Sequence, residues 1–190
     1  MIIKKRVTLI VPLFCITMYA SANEKYEGSY VGVDIGLSQS ASTDNYISLD
    51  ADGLGYNFYG GYHFNRIVGI EANYNDYGNM EHRGKKLMAP ISTSISANLG
   101  YTFENTIRPF ALIGLGYVNL RANSESLLEE DSGLGLHFGV GVEYSPIANL
   151  TIRAITQADG INVDKKPSNL SQTDSNLSFG STSVGLSYKF

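Results

Sequence analysis

The sequence has no tryptophan, a single cysteine and no second long apolar run, and each absence removes a class of protein. The cysteine, Cys15, lies inside the apolar run Val7 to Ala20, so no disulfide framework is available. Phe14 precedes it where a lipoprotein acylation site needs a small residue. The run is shorter than the roughly 20 residues a helix needs to cross a bilayer, which excludes a helical membrane protein. Positive charge is scarce too. The 14 Lys and Arg are outnumbered by 18 Asp and Glu, a balance unsuited to nucleic-acid phosphates.

What is present begins at the N-terminus. Lys4, Lys5 and Arg6, the apolar run and then Ala20-Ser21-Ala22 have the order of a secretory signal peptide, so residues 1–22 are expected to be removed after Ala22 during export by the general secretory route. Residues 23–190 then form one domain of 168 residues, with 11 Lys and Arg against 18 Asp and Glu, a net charge of −7. The other end is equally distinctive: Val184-Gly185-Leu186-Ser187-Tyr188-Lys189-Phe190 alternates strictly and stops on an aromatic.

That alternation recurs in eight runs, Tyr30 to Ser38, Leu54 to Phe64, Val68 to Tyr77, Ile91 to Phe103, Arg108 to Leu120, Leu134 to Tyr144, Asn149 to Asp159 and Leu177 to Phe190. In Leu134 to Tyr144, for example, Leu136, Phe138, Val140 and Val142 alternate with Gly135, His137, Gly139, Gly141 and Glu143. Arg108 to Leu120 is ambiguous because Phe110 and Leu112 break the pattern; Ala111, Ile113, Leu115 and Tyr117 are assigned to its apolar face. The connectors 65–67, 104–107 and 145–148 are short, whereas 39–53, 78–90, 121–133 and 160–176 are long and polar. The polar faces carry Gly, Ser and Asn with few charges, which suits a narrow interior better than a solvated exterior. Aromatics gather at run ends, Tyr62, Phe64, Tyr101, Phe103, Tyr188 and Phe190 toward the short connectors and Tyr56, Phe58, Tyr74 and Tyr117 toward the long ones, as at two headgroup interfaces. The expected fold is all-β: an eight-stranded antiparallel up-and-down transmembrane β-barrel with short periplasmic turns and long extracellular loops.

The signal peptide, GSYVGVDIGL near the start, RPFALIGLGY in the middle, FGVGVEYSP and NLTIRA around the third turn and the terminal YKF together resemble the eight-stranded outer-membrane barrel family of the OmpA transmembrane domain and the OmpX/Ail group. The resemblance implies that barrel-assembly machinery recognises the last strand through Leu186, Tyr188 and Phe190. It also implies a monomer whose loops serve adhesion, colonisation or envelope integrity, with host surface or matrix molecules as partners alongside outer-membrane lipids and lipopolysaccharide. The chain departs from full-length OmpA by carrying the barrel alone, so no peptidoglycan-binding domain is expected.

Candidate chemistry is sparse. Asp34, His63, Glu71, Glu143, Arg153 and Lys189 fall on the inward face, with Glu143 near Arg153 across the third turn, His63 near Glu71 across the first, and Lys189 near Glu143 and Glu71. They read either as a gate or narrow ion path, which would make a porin, or as a paired network plugging the lumen; buried charges persist when paired, which favours the plug. Neither a His-x-Ser arrangement nor an N-terminal amphipathic helix of lipid A-modifying barrels is present, so catalysis, cofactor and metal are not expected. His82, Arg83, Lys85 and Lys86 form a dense basic patch in a loop, able to meet lipopolysaccharide phosphates or a sulfated host glycan, or simply solvated beside anionic headgroups. Leu127-Leu128 beside Glu129-Glu130-Asp131 in another loop reads either as a contact site or as packing on the barrel rim.

Overall fold

The computed structural model describes residues 26–43, 48–52, 54–82, 85–121, 132–163 and 175–190. Eight long strands form the wall: β1 (Gly28–Thr43), β3 (Tyr56–His63), β4 (Val68–Asp76), β7 (Ile91–Gly100), β8 (Ile107–Asn119), β9 (Ser132–Ile147), β10 (Leu150–Val163) and β11 (Ser175–Lys189). Each pairs antiparallel with the wall strand before it, and β11 returns to β1, so no wall edge is left open. The closing seam runs from Tyr30 opposite Lys189 to Thr43 opposite Leu177. Three shorter strands, β2 (Ser48–Asp52), β5 (Asn79–His82) and β6 (Lys85–Met88), hang as an apron from the upper half of β1.

Period two in the sequence sends alternate side chains to opposite sides of the wall. Val31, Val33, Ile113, Leu115, Val140 and Leu186 face outward and are exposed, while Asp34, Asn57, Glu71, Asn98, Arg153 and Gln157 are buried inside. This is the arrangement of a membrane barrel, not of a soluble one. The outer belt is bounded toward the short turns by aromatic pairs in tilted to edge-to-face contact, Tyr62 with Phe64, Tyr101 with Phe103 and Tyr188 with Phe190, their ring centroids 5.1 to 5.2 Å apart. Amphipathic tyrosine rings suit this level, where one edge meets lipid and the other meets water.

The strands outrun the expected runs at the long-loop end, and the reason is physical. Residues 39–53 and 78–90, expected as loops, contain the top of β1 together with β2, β5 and β6. Above the membrane the outside of the wall meets water, so alternation inverts. Ser40, Ser42, Thr156 and Thr182 are exposed, whereas Ala41, Ile161 and Phe179 are buried inside. In β1 a bulge between Gly36 and Ser38 places Leu37 and Ser38 both outside and moves the inward positions from Asp34 and Gly36 to Gln39 and Ala41. The third turn is tighter than expected, with only Ala148 and Asn149 between β9 and β10. Phe110 and Leu112, which blurred the fifth run, point inward and pack with Ile155. The signal-peptide reading of residues 1–22, Cys15 included, and the Leu127 to Asp131 segment fall outside the described residues.

Candidate functional site

Inward positions on neighbouring strands stack into layers. Nearest the short turns is an ionic layer centred on Arg153 of β10, whose Nη1 donates to both carboxylate oxygens of Glu71 of β4, at 3.0 and 3.1 Å. Its Nε lies 3.8 Å from Asp34 of β1, and its guanidinium carbon sits 4.0 Å from the Tyr59 ring centroid. Glu71 accepts two more hydrogen bonds, from the Tyr30 hydroxyl at 2.7 Å and the Asn98 amide at 3.0 Å. Arg108 extends the layer, donating to the Asn98 carbonyl oxygen at 2.7 Å and to Glu143 at 3.1 Å. Asn57 donates to Asp34 at 2.9 Å from the other side. The chain of contacts from Glu143 to Asn57 therefore ties β9, β8, β7, β4, β10, β1 and β3 together across the tube.

Glycine makes this filling possible. A Cβ on Gly32 would lie 2.3 Å from the Tyr59 ring, and one on Gly100 would lie 2.7 Å from the Arg108 guanidinium carbon. Large side chains on one strand thus occupy the space that small residues leave on the next.

The six charges read from the sequence divide within this lumen. Asp34, Glu71 and Arg153 join directly. Glu143 sits opposite Arg153 in the β9–β10 register but pairs with Arg108, because β8 brings that guanidinium to it from the other side. His63 takes no part in the ion pairs: its ring stacks on Tyr30 at 4.5 Å, with its Nε2 buried and without a hydrogen-bond partner. Lys189 lies at the short-turn mouth, sharing a cavity with Glu143, His63 and Arg108, while Glu71 is engaged deeper in the lumen. Arg108 was missed because Pro109, Phe110 and Leu112 hide the parity it shares with Gly114 and Gly116.

A second polar layer was missed as well. Asp159 of β10 bonds His137 Nδ1 at 2.8 Å through one oxygen, and through the other accepts from Ser92 and Tyr77, each at 2.5 Å. The composition suggests a catalytic group, but the geometry differs. Ser92 donates to the carboxylate and not to the imidazole, His137 Nε2 has no partner, and all four residues are buried. Above them Tyr77, Met80, Val118, Leu120, Ile161 and Phe179 close the tube as an apolar cap. Among the described residues, no group of three or more His, Cys, Asp or Glu is placed to hold a metal ion.

The two ends carry the remaining candidates. Leu186, Tyr188 and Phe190 face outward and are about half exposed; the Phe190 amide donates to Ser29 O at 3.0 Å, fastening the terminus to β1. At the opposite end the basic residues sit on the β5–β6 hairpin, with His82 opposite Lys85 and Glu81 opposite Lys86 in its backbone register. Arg83 falls outside the described residues.

Outer membrane protein A of Klebsiella aerogenes is 28% identical over 204 residues, which take in 98% of this chain and 55% of that protein. The chain thus spans about half the length of the curated relatives it matches. Among solved structures, neisserial surface protein A aligns with a TM-score of 0.63 and 23% identity, covering 86% of this chain and 97% of that one. Ail of Yersinia pestis, solved in complex with the heparin analogue sucrose octasulfate, aligns with a TM-score of 0.58 and 20% identity, covering 86% and 99%. The family model for the outer membrane protein beta-barrel domain matches residues 8–190, so the chain belongs to that family and resides in the bacterial outer membrane.

Proposed function

We propose that the protein is a monomeric, non-catalytic and non-conducting surface barrel whose specific work is done at the extracellular end, where it binds sulfated or phosphorylated polyanions and supports adhesion. The observation that carries this reading is the apolar cap: a lumen filled by paired charges and then closed by Tyr77, Leu120 and Phe179 offers ions no wet path. Recognition then belongs to the loops that the wall holds in place. The β5–β6 hairpin carries His82, Lys85 and Lys86, and Arg83 falls between them in the sequence, a cluster suited to ligands with clustered negative charge. The complex of Ail with a heparin analogue supports the same ligand class on this fold. Lipopolysaccharide phosphates and sulfated host glycans both satisfy it. Export with cleavage after Ala22, a start at Asn23 and recognition of Leu186, Tyr188 and Phe190 by barrel-assembly machinery complete the proposal.

The test is calorimetric titration of the refolded barrel with sucrose octasulfate, heparin and lipopolysaccharide, beside a variant with His82, Arg83, Lys85 and Lys86 all replaced by Ser. Salt-dependent binding that is lost in the variant supports the reading, and equal binding by both proteins refutes it. Planar-bilayer recording separates the alternative, a narrow porin: discrete openings of the unaltered barrel would favour the pore. Mass spectrometry of lipid A with and without the protein tests lipid A modification.

A further inference from the structure

The apolar cap and the basic cluster share one hairpin. Of the residues that close the tube, Met80 lies in β5, Met88 packs against the cap from β6, and Tyr77 stands at the root, one residue before Gly78, whose φ of 73° turns the chain into β5. Met80 and Met88 oppose each other in the hairpin register. His82 follows Met80 by two residues and Lys86 precedes Met88 by two, so each cation lies within about 7 Å of chain from a cap residue.

Attachment of the hairpin is concentrated at its cap end. Ala51 and Asp52 of β2 pair with Met80 and Asn79, the Tyr77 amide donates to Pro90 O at 3.0 Å, and the Ala89 amide donates to Leu120 O at 3.2 Å. The Tyr77 hydroxyl donates to Asp159, and its ring meets that of Phe179 of β11 at 5.8 Å. Beyond the methionines, the described residues of the hairpin that pair do so with one another, Glu81 with Lys86 and His82 with Lys85. The tip is therefore positioned through Met80 and Met88.

Charge works against that position. Residues 79–88 hold His82, Arg83, Lys85 and Lys86 against one acid, Glu81, and pairing of the two strands brings these cations together. Like charges at facing strand positions are destabilising. A polyanion that neutralises them removes the repulsion, and whatever steadies the tip also steadies Met80 and Met88 in the cap.

We propose that the β5–β6 hairpin couples its tip to its root: a polyanion bound at the tip tightens the apolar cap, and the packing of the cap sets the affinity at the tip. This rests on the polyanion reading above and adds its regulation. Coupling between two sites is reciprocal, so a change made at either one is felt at the other. Loosening the cap lowers the fraction of barrels whose tip is ready to bind, and the apparent affinity falls with that fraction.

Met80 and Met88 are the only methionines after residue 22, so methyl-labelled methionine places two native reporters in the cap of the refolded barrel in nanodiscs. The probe is sucrose octasulfate, followed by methyl NMR and by calorimetry on the same samples. Both methyl signals are expected to shift with one midpoint, equal to the calorimetric one, and to stay in place when His82, Arg83, Lys85 and Lys86 are all replaced by Ser. Phe179→Ala, made within the cap on β11, is expected to weaken binding about fivefold or more, whereas Ile113→Ala, on the lipid face, leaves it unchanged. Binding without a response at the methionine methyls overturns the coupling and leaves the polyanion reading in place. Absence of binding by the unaltered barrel overturns both. Unchanged affinity in a folded, heat-modifiable Phe179→Ala barrel, or an equal loss in Ile113→Ala, also overturns the coupling. The methyl titration uses the unaltered protein, so the test stands even if the cap variant folds poorly.

Discussion

Toward the periplasm the lumen is filled by ions, and toward the cell surface it is filled by hydrocarbon. Arg153, Glu71, Asp34, Arg108 and Glu143 occupy the first region, whereas Met80, Leu120, Ile161 and Phe179 occupy the second, with Asp159 and His137 between them. The difference follows from what surrounds each part of the wall. Within the membrane the outer positions are committed to lipid, leaving polar residues for the interior, where they must pair. Above the membrane the outer positions can be polar, and the interior is released to form an ordinary apolar core.

The two regions should therefore break differently. Arg153→Ala should have the largest effect, because it leaves Glu71 and Asp34 buried without their cation; a loss of about 3–5 kcal/mol is expected for a broken buried pair, read as a lower urea midpoint of refolded barrel in lipid vesicles. Phe179→Ala should cost somewhat less, about 3 kcal/mol for a truncated core aromatic. It should also admit small ions that the intact cap excludes, visible as a leak in vesicle flux assays. A cap variant without leak would mean that the ionic layer seals the tube unaided. Arg108→Met should cost about 1–3 kcal/mol as Glu143 and Asn98 each lose a charged donor, and adding Glu143→Met should recover part of it, since paired removal leaves no unpaired charge although the Asn98 carbonyl oxygen still lacks its donor. The smallest effect on stability belongs to Lys85→Ser with Lys86→Ser, expected within about 0.5 kcal/mol of the unaltered barrel, even though these two changes should weaken polyanion binding.

The same contrast explains what could be read from the chain. Alternation gave the eight wall strands and their lipid faces, because lipid outside and a polar interior impose opposite chemistry on successive residues. It failed above the membrane, where Ala41 and Phe179 turn inward while Ser40 and Ser42 face water. Asp159 was passed over for a related reason. It ends the run Asn149 to Asp159 and continues the parity of Arg153 and Gln157, and following that parity to the last residue of the run would have placed it inside. Which acid pairs with which base was not legible at all. Arg153 lies opposite Glu143 in register yet reaches across the tube to Glu71 instead, and tube-spanning contacts leave no trace in local spacing.

The bulge between Gly36 and Ser38 gives the closing seam the property of a reading frame. Below it even-numbered residues of β1 face inward, and above it odd-numbered ones do. Strict alternation through Leu37 without the bulge would turn Ala41 out and Ser40 and Ser42 in, whereas deleting Leu37 would remove the bulge and leave Ala41 facing inward. One supernumerary residue thus lets a single strand change from membrane grammar to aqueous grammar without a break in the wall. It also keys the seam, since β11 can slide along β1 only by leaving the notch in which Gly36 faces Ser183 and Ser38 faces Thr182.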